Sequence, residues 1–161
     1  MIDPILKRRA VRSYESEKLS NDEVEKLIAA FQASPAALGK FEVIQAVSVM
    51  EDKYLQEVEN VTNNAAYNAP FMLIIAGQKD SPFSAYDAAV AAENVMIEAF
   101  ELGLGSVFVM GGAIELNKHK DVLKNLGIED GYKVEAIIPV GKIKGKVATP
   151  DRTNRYKLIQ R

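Results

Sequence analysis

The 161-residue chain contains no cysteine, no tryptophan and a single histidine. Without thiols it can have no disulfide, no thiol nucleophile and no thiolate metal site. One histidine without cysteine makes no recognisable zinc site. That histidine, His119, stands between Lys118 and Lys120, which suits a surface position better than a triad base. Charge of one sign is also missing. Lys and Arg number 20 against 22 Asp and Glu, a net charge of −2, so nothing global attracts nucleic acid or an anionic membrane. No apolar run reaches the ~20 residues that a membrane-spanning helix needs. The N-terminal MIDPILKRRAV is too short and too charged for the apolar core of a signal peptide, and the expected location is cytoplasmic. Neither a repeat, a low-complexity tract nor a linker divides the sequence, so one domain over residues 1–161 is expected.

What is present is organised around residues 87–105, DAAVAAENVMIEAFELGLG. Ala88, Ala92, Val95, Ala99 and Leu102 recur at helical spacing, and Ala89, Met96 and Phe100 form a second stripe beside them. Asp87 is a plausible N-cap, and Gly103 or Gly105 a plausible stop. A helix apolar over so much of its circumference is buried on more than one side. Its alanines permit close approach, which predicts a sheet on one side and a helical cover, from this chain or another subunit, on the other.

The flanking sequence supplies the remaining elements. Asp3-Pro4 opens a short helix, and Ser20-Asn21-Asp22-Glu23 is a capping box ahead of Val24, Leu27, Ile28 and Phe31. Residues 34–40 form a loop of small residues. Strands are expected at residues 41–50, 71–77, 106–110 and 132–140, and helices at 51–61 and 117–126, the last stopped by Gly127. The tail from residue 141 is polar and basic, with Ile143, Val147, Leu158 and Ile159 as candidate anchors. Four strands interleaved with helices make an α+β or mixed α/β domain.

Few residues carry chemistry. Arg8, Arg9 and Arg12 place three guanidinium groups within five residues, and a helical turn would put Arg8 and Arg12 on one face. Arginine forks suit phosphate, although a solvated face or pairing with nearby glutamates explains them too. Gly103-Leu104-Gly105 closes a helix instead of opening one, unlike a dinucleotide-binding turn. Gly111-Gly112 after a strand is either a tight turn or a place where backbone N–H groups approach a ligand. Glu93, Glu98 and Glu101 are explained by a solvated helix edge as well as by acid–base work.

Taken in order, these pieces resemble the nitroreductase family of FMN-dependent oxidoreductases. Residues 8–14, RRAVRSY, resemble the family's R-R-S-[VI]-R-x-[FY] segment; Ser34-Pro35-Ala36-Ala37 stands at its small-residue loop; Asn68-Ala69-Pro70 precedes a buried strand. The stretch from Asp87 through Glu93-Asn94 to Gly103-Leu104-Gly105-Ser106 is similar to its D-x-x-x-A-x-Q-N…L-G-L-G-S/T helix, with Glu93 where Gln is common. The loop after Ser34 lacks the family's Ser, Asn, Gln and Pro-Trp positions.

The resemblance implies an α+β fold, a mostly antiparallel sheet flanked by helices around a long buried central helix. It also implies a homodimer with FMN at the subunit interface. Arg8, Arg9 and Arg12, with Ala10 among them, would hold the phosphate and ribityl oxygens. Pro35, Ala36 and Leu38 of the other subunit would lie against the isoalloxazine. Gly111 and Gly112 would offer N–H groups to the ring, and Arg152 or Arg155 would complete the phosphate site. NAD(P)H would donate hydride and a small nitroaromatic or quinone-like acceptor would leave reduced, in a ping-pong cycle needing no catalytic side chain and no metal. A flavin- or nucleotide-binding protein of the same fold without turnover is the alternative.

Overall fold

The computed structural model describes residues 3–161. Phe71-Met72-Leu73-Ile74-Ile75-Ala76 is apolar at every position, and β2 (Phe71–Gln78) is buried along all but its last residue. It lies between β1 (Ile44–Val49) and β4 (Tyr132–Lys142), and β3 (Leu104–Ser106) completes a four-stranded sheet of order β1-β2-β4-β3, antiparallel throughout. Successive residues of a strand face opposite ways. Phe71, Leu73 and Ile75 therefore enter one core with Ala136 and Ile138, while Met72, Ile74 and Ala76 enter another with Val134 and Ile137. A bulge after Ile75 keeps both sets aligned: Ile75 pairs with Ala136 and Ala76 with Val134, leaving Glu135 unpaired.

The first core is capped by α2 (Asn21–Gln32) and α4 (Ser84–Glu101). Ser20 and Glu23 make the expected reciprocal box at the start of α2, and Val24 and Leu27 are buried. Along α4, Ala88, Ala91, Ala92, Val95 and Ala99 are wholly inaccessible, so the sheet approaches on one side and α2 supplies the helical cover on another. A third face, with Tyr86 and Val90, is exposed. The second core is closed by α3 (Asp52–Thr62), α5 (Met110–Leu116) and α6 (Lys120–Asn125).

Several boundaries differ from those the sequence suggests. The central helix starts at Ser84, so Asp87 lies inside it and does not cap it. Residues 41–43 form a 3₁₀ turn ahead of β1. β3 ends at Ser106, Val109 keeps a single bridge to Ile137 of β4, and Met110 already begins α5, which places Gly111 and Gly112 in a helical first turn instead of a loop. Asn117 ends α5, and its side chain accepts from Val134 N–H at 2.7 Å and donates to the Val134 carbonyl at 2.8 Å. Leu158 and Ile159 are exposed and anchor nothing within this chain.

The short helix α1 (Asp3–Lys7) stops before the arginines. From Arg8 the chain runs extended along the free edge of β3, with a parallel bridge from Ala10 to Ser106 and an antiparallel one from Tyr14 to Ile143. Gly105 makes this possible. A Cβ there would sit 2.7 Å from Val11 Cγ1 and 2.9 Å from Ile143 Cγ1. Gly105→Ala should therefore overpack the seam and lower stability by about 1–3 kcal/mol. Urea unfolding tests this, and wild-type stability would mean that residues 8–14 are not held against β3 as described.

Candidate functional site

The extended course of residues 8–14 decides where the three arginines go. Arg8 and Arg12 do not share a helical face, because α1 ends at Lys7. Arg12 opens onto a cleft of about 640 Å³ whose other wall includes Phe108, Met110, Gly111 and Gly112, with Thr62, Ala65 and Tyr67 at its side. Arg8 and Arg9 instead border a smaller groove of about 250 Å³ with Met96, Phe100, Ser106 and Thr149. Arg8 Nε donates to Glu93 Oε1 at 2.7 Å, the two side chains being 24% and 37% exposed. Glu93 is thus a partner and not merely a solvated edge.

The two tail arginines differ in their contacts. Arg152 donates to the carbonyls of Leu6 and Arg8, and Arg9 Nη1 to the carbonyl of Ala148 at 2.5 Å. Residues 148–152 are thereby folded against the arginine segment. Arg155 makes no hydrogen bond to that segment among the described residues. Ala10 makes the parallel bridge to Ser106. Tyr14 locks the far end: its hydroxyl donates to the Val11 carbonyl at 2.6 Å, and burial, with Tyr67 nearby, raises its pKa well above the ordinary phenol range.

The glycines have distinct surroundings. A Cβ on Gly112 would come within 2.8 Å of Ala65 Cβ and 3.1 Å of Val109 Cγ1, whereas one on Gly111 would meet nothing within 4 Å. Gly112 is therefore a packing requirement and Gly111 is open to the cleft. Both lie in the first turn of α5, where N–H groups have no intrahelical acceptor.

Pro35 and Ala36 border a different cleft, of about 410 Å³, with Phe31, Phe41 and Leu73. Leu38 is 78% exposed and holds a left-handed backbone, φ 55°. One chain therefore groups Arg12 with Gly111 and Gly112, sets Arg8, Arg9 and Arg152 beside one another, and keeps residues 35–38 apart from both groups.

A sequence profile described as the nitroreductase family matches residues 39–142. The chain belongs to that family. Among curated relatives, an Archaeoglobus fulgidus protein is 25% identical over 170 residues covering 95% of each chain; its name provisionally assigns NADH dehydrogenase/NAD(P)H nitroreductase activity. The FMN reductase (NADPH) of Bacillus subtilis is 26% identical over 147 residues, covering 76% of this chain and 59% of that one. A nitroreductase with bound FMN from Bacteroides fragilis has the same fold, with a TM-score of 0.88 at 18% identity over 99% of this chain and 98% of that one.

Around the cleft of this nitroreductase-family chain, sequence reasoning missed Glu59. It is 4% exposed, and its carboxylate accepts from Ala66 N–H at 3.1 Å and Asn68 N–H at 2.6 Å. After α3 the chain takes left-handed φ at Asn63, Asn64, Tyr67 and Asn68, conformations that asparagine tolerates better than most residues. The asparagine-rich run was the available signal. Glu59 thus shapes the wall carrying Ala65 and Tyr67.

Burial raises the Glu59 pKa, against the opposing effect of the two N–H donors. A carboxyl whose folded pKa exceeds its unfolded value near 4.3 binds more protons when folded, so its contribution to stability falls as pH rises through that interval. Comparing wild type with Glu59→Gln from pH 4 to pH 7 should show the difference moving in favour of the glutamine variant. A pH-independent difference would refute the shift.

Proposed function

We propose that this protein is an FMN-dependent oxidoreductase acting as a homodimer over a single domain of residues 1–161. The observation that carries the reading is Arg12 facing the first turn of α5 across one cleft, with Gly111 open to it. A cation opposite accessible backbone N–H groups matches what a flavin nucleotide offers, an anionic end and a ring that gains negative charge on reduction. The FMN bound in the Bacteroides fragilis relative and the name of the Bacillus subtilis one support the same cofactor.

Bound there, FMN would supply the redox chemistry, accepting hydride from NAD(P)H and passing electrons to a nitroaromatic or quinone-like acceptor in ping-pong fashion. The protein's work is binding and orientation. Arg12 pairs with the phosphate or ribityl oxygens, Arg8 and Arg9 supply charge from the adjoining groove, and Arg152 fixes the backbone that carries them. Gly111 and Gly112 N–H groups point toward the ring. Pro35 and Ala36 line a different cleft and Leu38 is exposed to solvent, none of the three lining this one, which supports their contribution from a second copy. Exposed Leu38, Tyr86, Val90, Met110 and Ile114 supply apolar surface for such a contact.

The test is the visible spectrum after incubation with FMN and desalting, then anaerobic NADH or NADPH. A retained band that bleaches faster than free FMN is expected. Arg12→Ala should weaken FMN by about tenfold or more, the scale of a charge-assisted contact, and weaken riboflavin far less because it lacks phosphate. A retained band inert to both donors would favour a binding protein without turnover.

A further inference from the structure

Two polar residues of α4 that face away from the arginine groove fasten one loop. Asn94 Nδ2 donates to Ser34 Oγ at 3.1 Å, and both carboxylate oxygens of Asp87 accept from Ala37 N–H at 3.2 Å. Asp87 and Asn94 are seven helical steps apart, a rise of about 10.5 Å at 1.5 Å each. Ser34 and Ala37 are three steps apart, a reach of at most about 10–11 Å when extended. The spans match, so the loop is drawn out antiparallel to the helix, with Ala36 at φ −119°, ψ 138°.

Asp87 is 6% exposed, and among the described residues it has no cationic partner. A buried carboxylate is costly unless hydrogen-bonded. Here its compensation is the Ala37 N–H and the N-terminal turn of its own helix. Immediately beyond the tether, Leu38 (φ 55°) and Gly39 (φ 67°) turn left-handed, and Leu38 is thrust into solvent. An exposed leucine on strained backbone, fixed from behind by a buried charge, is a side chain on display.

We infer that Asp87 is the positioning residue of the flavin site: through Ala37 it holds residues 35–38 in the form presented to the ring bound by the second copy. This rests on the functional reading above. Asp87 touches neither ring nor substrate and acts only through the loop.

The decisive variant is Ala37→Pro. It deletes the N–H donor while leaving Asp87 in place. The preceding residue already has the extended backbone that proline requires, and the position opens a 3₁₀ turn. Dissociation constants for FMN and for riboflavin would be measured on full-length wild type, Ala37→Pro, Asp87→Ala, Asp87→Asn and the Asp87→Ala/Ala37→Pro double variant, with Arg12→Ala as the phosphate-side control. Ala37→Pro and Asp87→Ala should each weaken both flavins by the same factor, about tenfold for one hydrogen bond to a charged group. The double variant should be no worse than either single one, and Asp87→Asn, which keeps one acceptor oxygen, should fall between. Merely structural damage would lower urea stability and the fraction of protein that binds, leaving the dissociation constants of the folded fraction unchanged. If Asp87→Ala does not fold, Ala37→Pro alone decides. Unchanged riboflavin affinity in Ala37→Pro, or additive effects, would overturn the inference while leaving the functional reading intact. Wild type that binds neither flavin would overturn both.

Discussion

The close contact of α4 with the sheet governs the architecture. Five positions of α4, four of them alanine, are wholly buried, and such small side chains let helix and sheet approach with little between them. Bulk at those positions would lift the helix off Phe71, Leu73 and Ile138 and open the first core. The consequence reaches the site, because the polar residues of α4 are spent on segments that must stay in place. Glu93 takes the Arg8 side chain, Asn94 takes Ser34, and Asp87 takes the Ala37 backbone. One helix thus registers the arginine segment and the small-residue loop to the same rigid body.

The fold was legible wherever a pattern had one physical meaning. A continuous apolar run bounded by proline and glycine can be little else than a buried strand, and residues 71–77 form β2 almost to the residue. The capping box at Ser20 marks a helix start because its donors and acceptors satisfy each other locally. Legibility failed where tertiary contact outweighed local signal. Asp87 has the chemistry of an N-cap, yet its oxygens go to Ala37, fifty residues away in sequence, and the helix begins a turn earlier. Gly111-Gly112 carries turn composition, but Val109 pairs with Ile137 of β4 and directs the chain straight into α5.

The candidate site divides in the same way. Arg12, Gly111 and Gly112 were identifiable as residue types and do meet across one cleft. That Arg152 and not Arg155 packs on the arginine segment could not come from sequence, since two arginines three positions apart differ only in where the tail folds. Glu59 was invisible for another reason. A glutamate on an amphipathic helix usually faces water, and only the left-handed course of residues 63–68 turns two N–H groups onto this one.

The electrostatics of the arginine segment follow from these contacts. Arg8 engages Glu93 through Nε, so the pair orients the guanidinium without using its two terminal nitrogens, which together can still grip an anion bidentately. A partly exposed ion pair contributes at most about 1 kcal/mol, little resistance to a ligand carrying up to two charges. Meanwhile Arg152 spends donors on the carbonyls of Leu6 and Arg8, which stiffens the backbone beneath the side chain. Glu93 therefore keeps Arg8 aimed at small electrostatic cost, and the tail supplies the rigidity. A neutral glutamine there would offer the same acceptor without offsetting the local positive charge, so carboxylate against amide at this position sets the net charge beside Arg8 and Arg9.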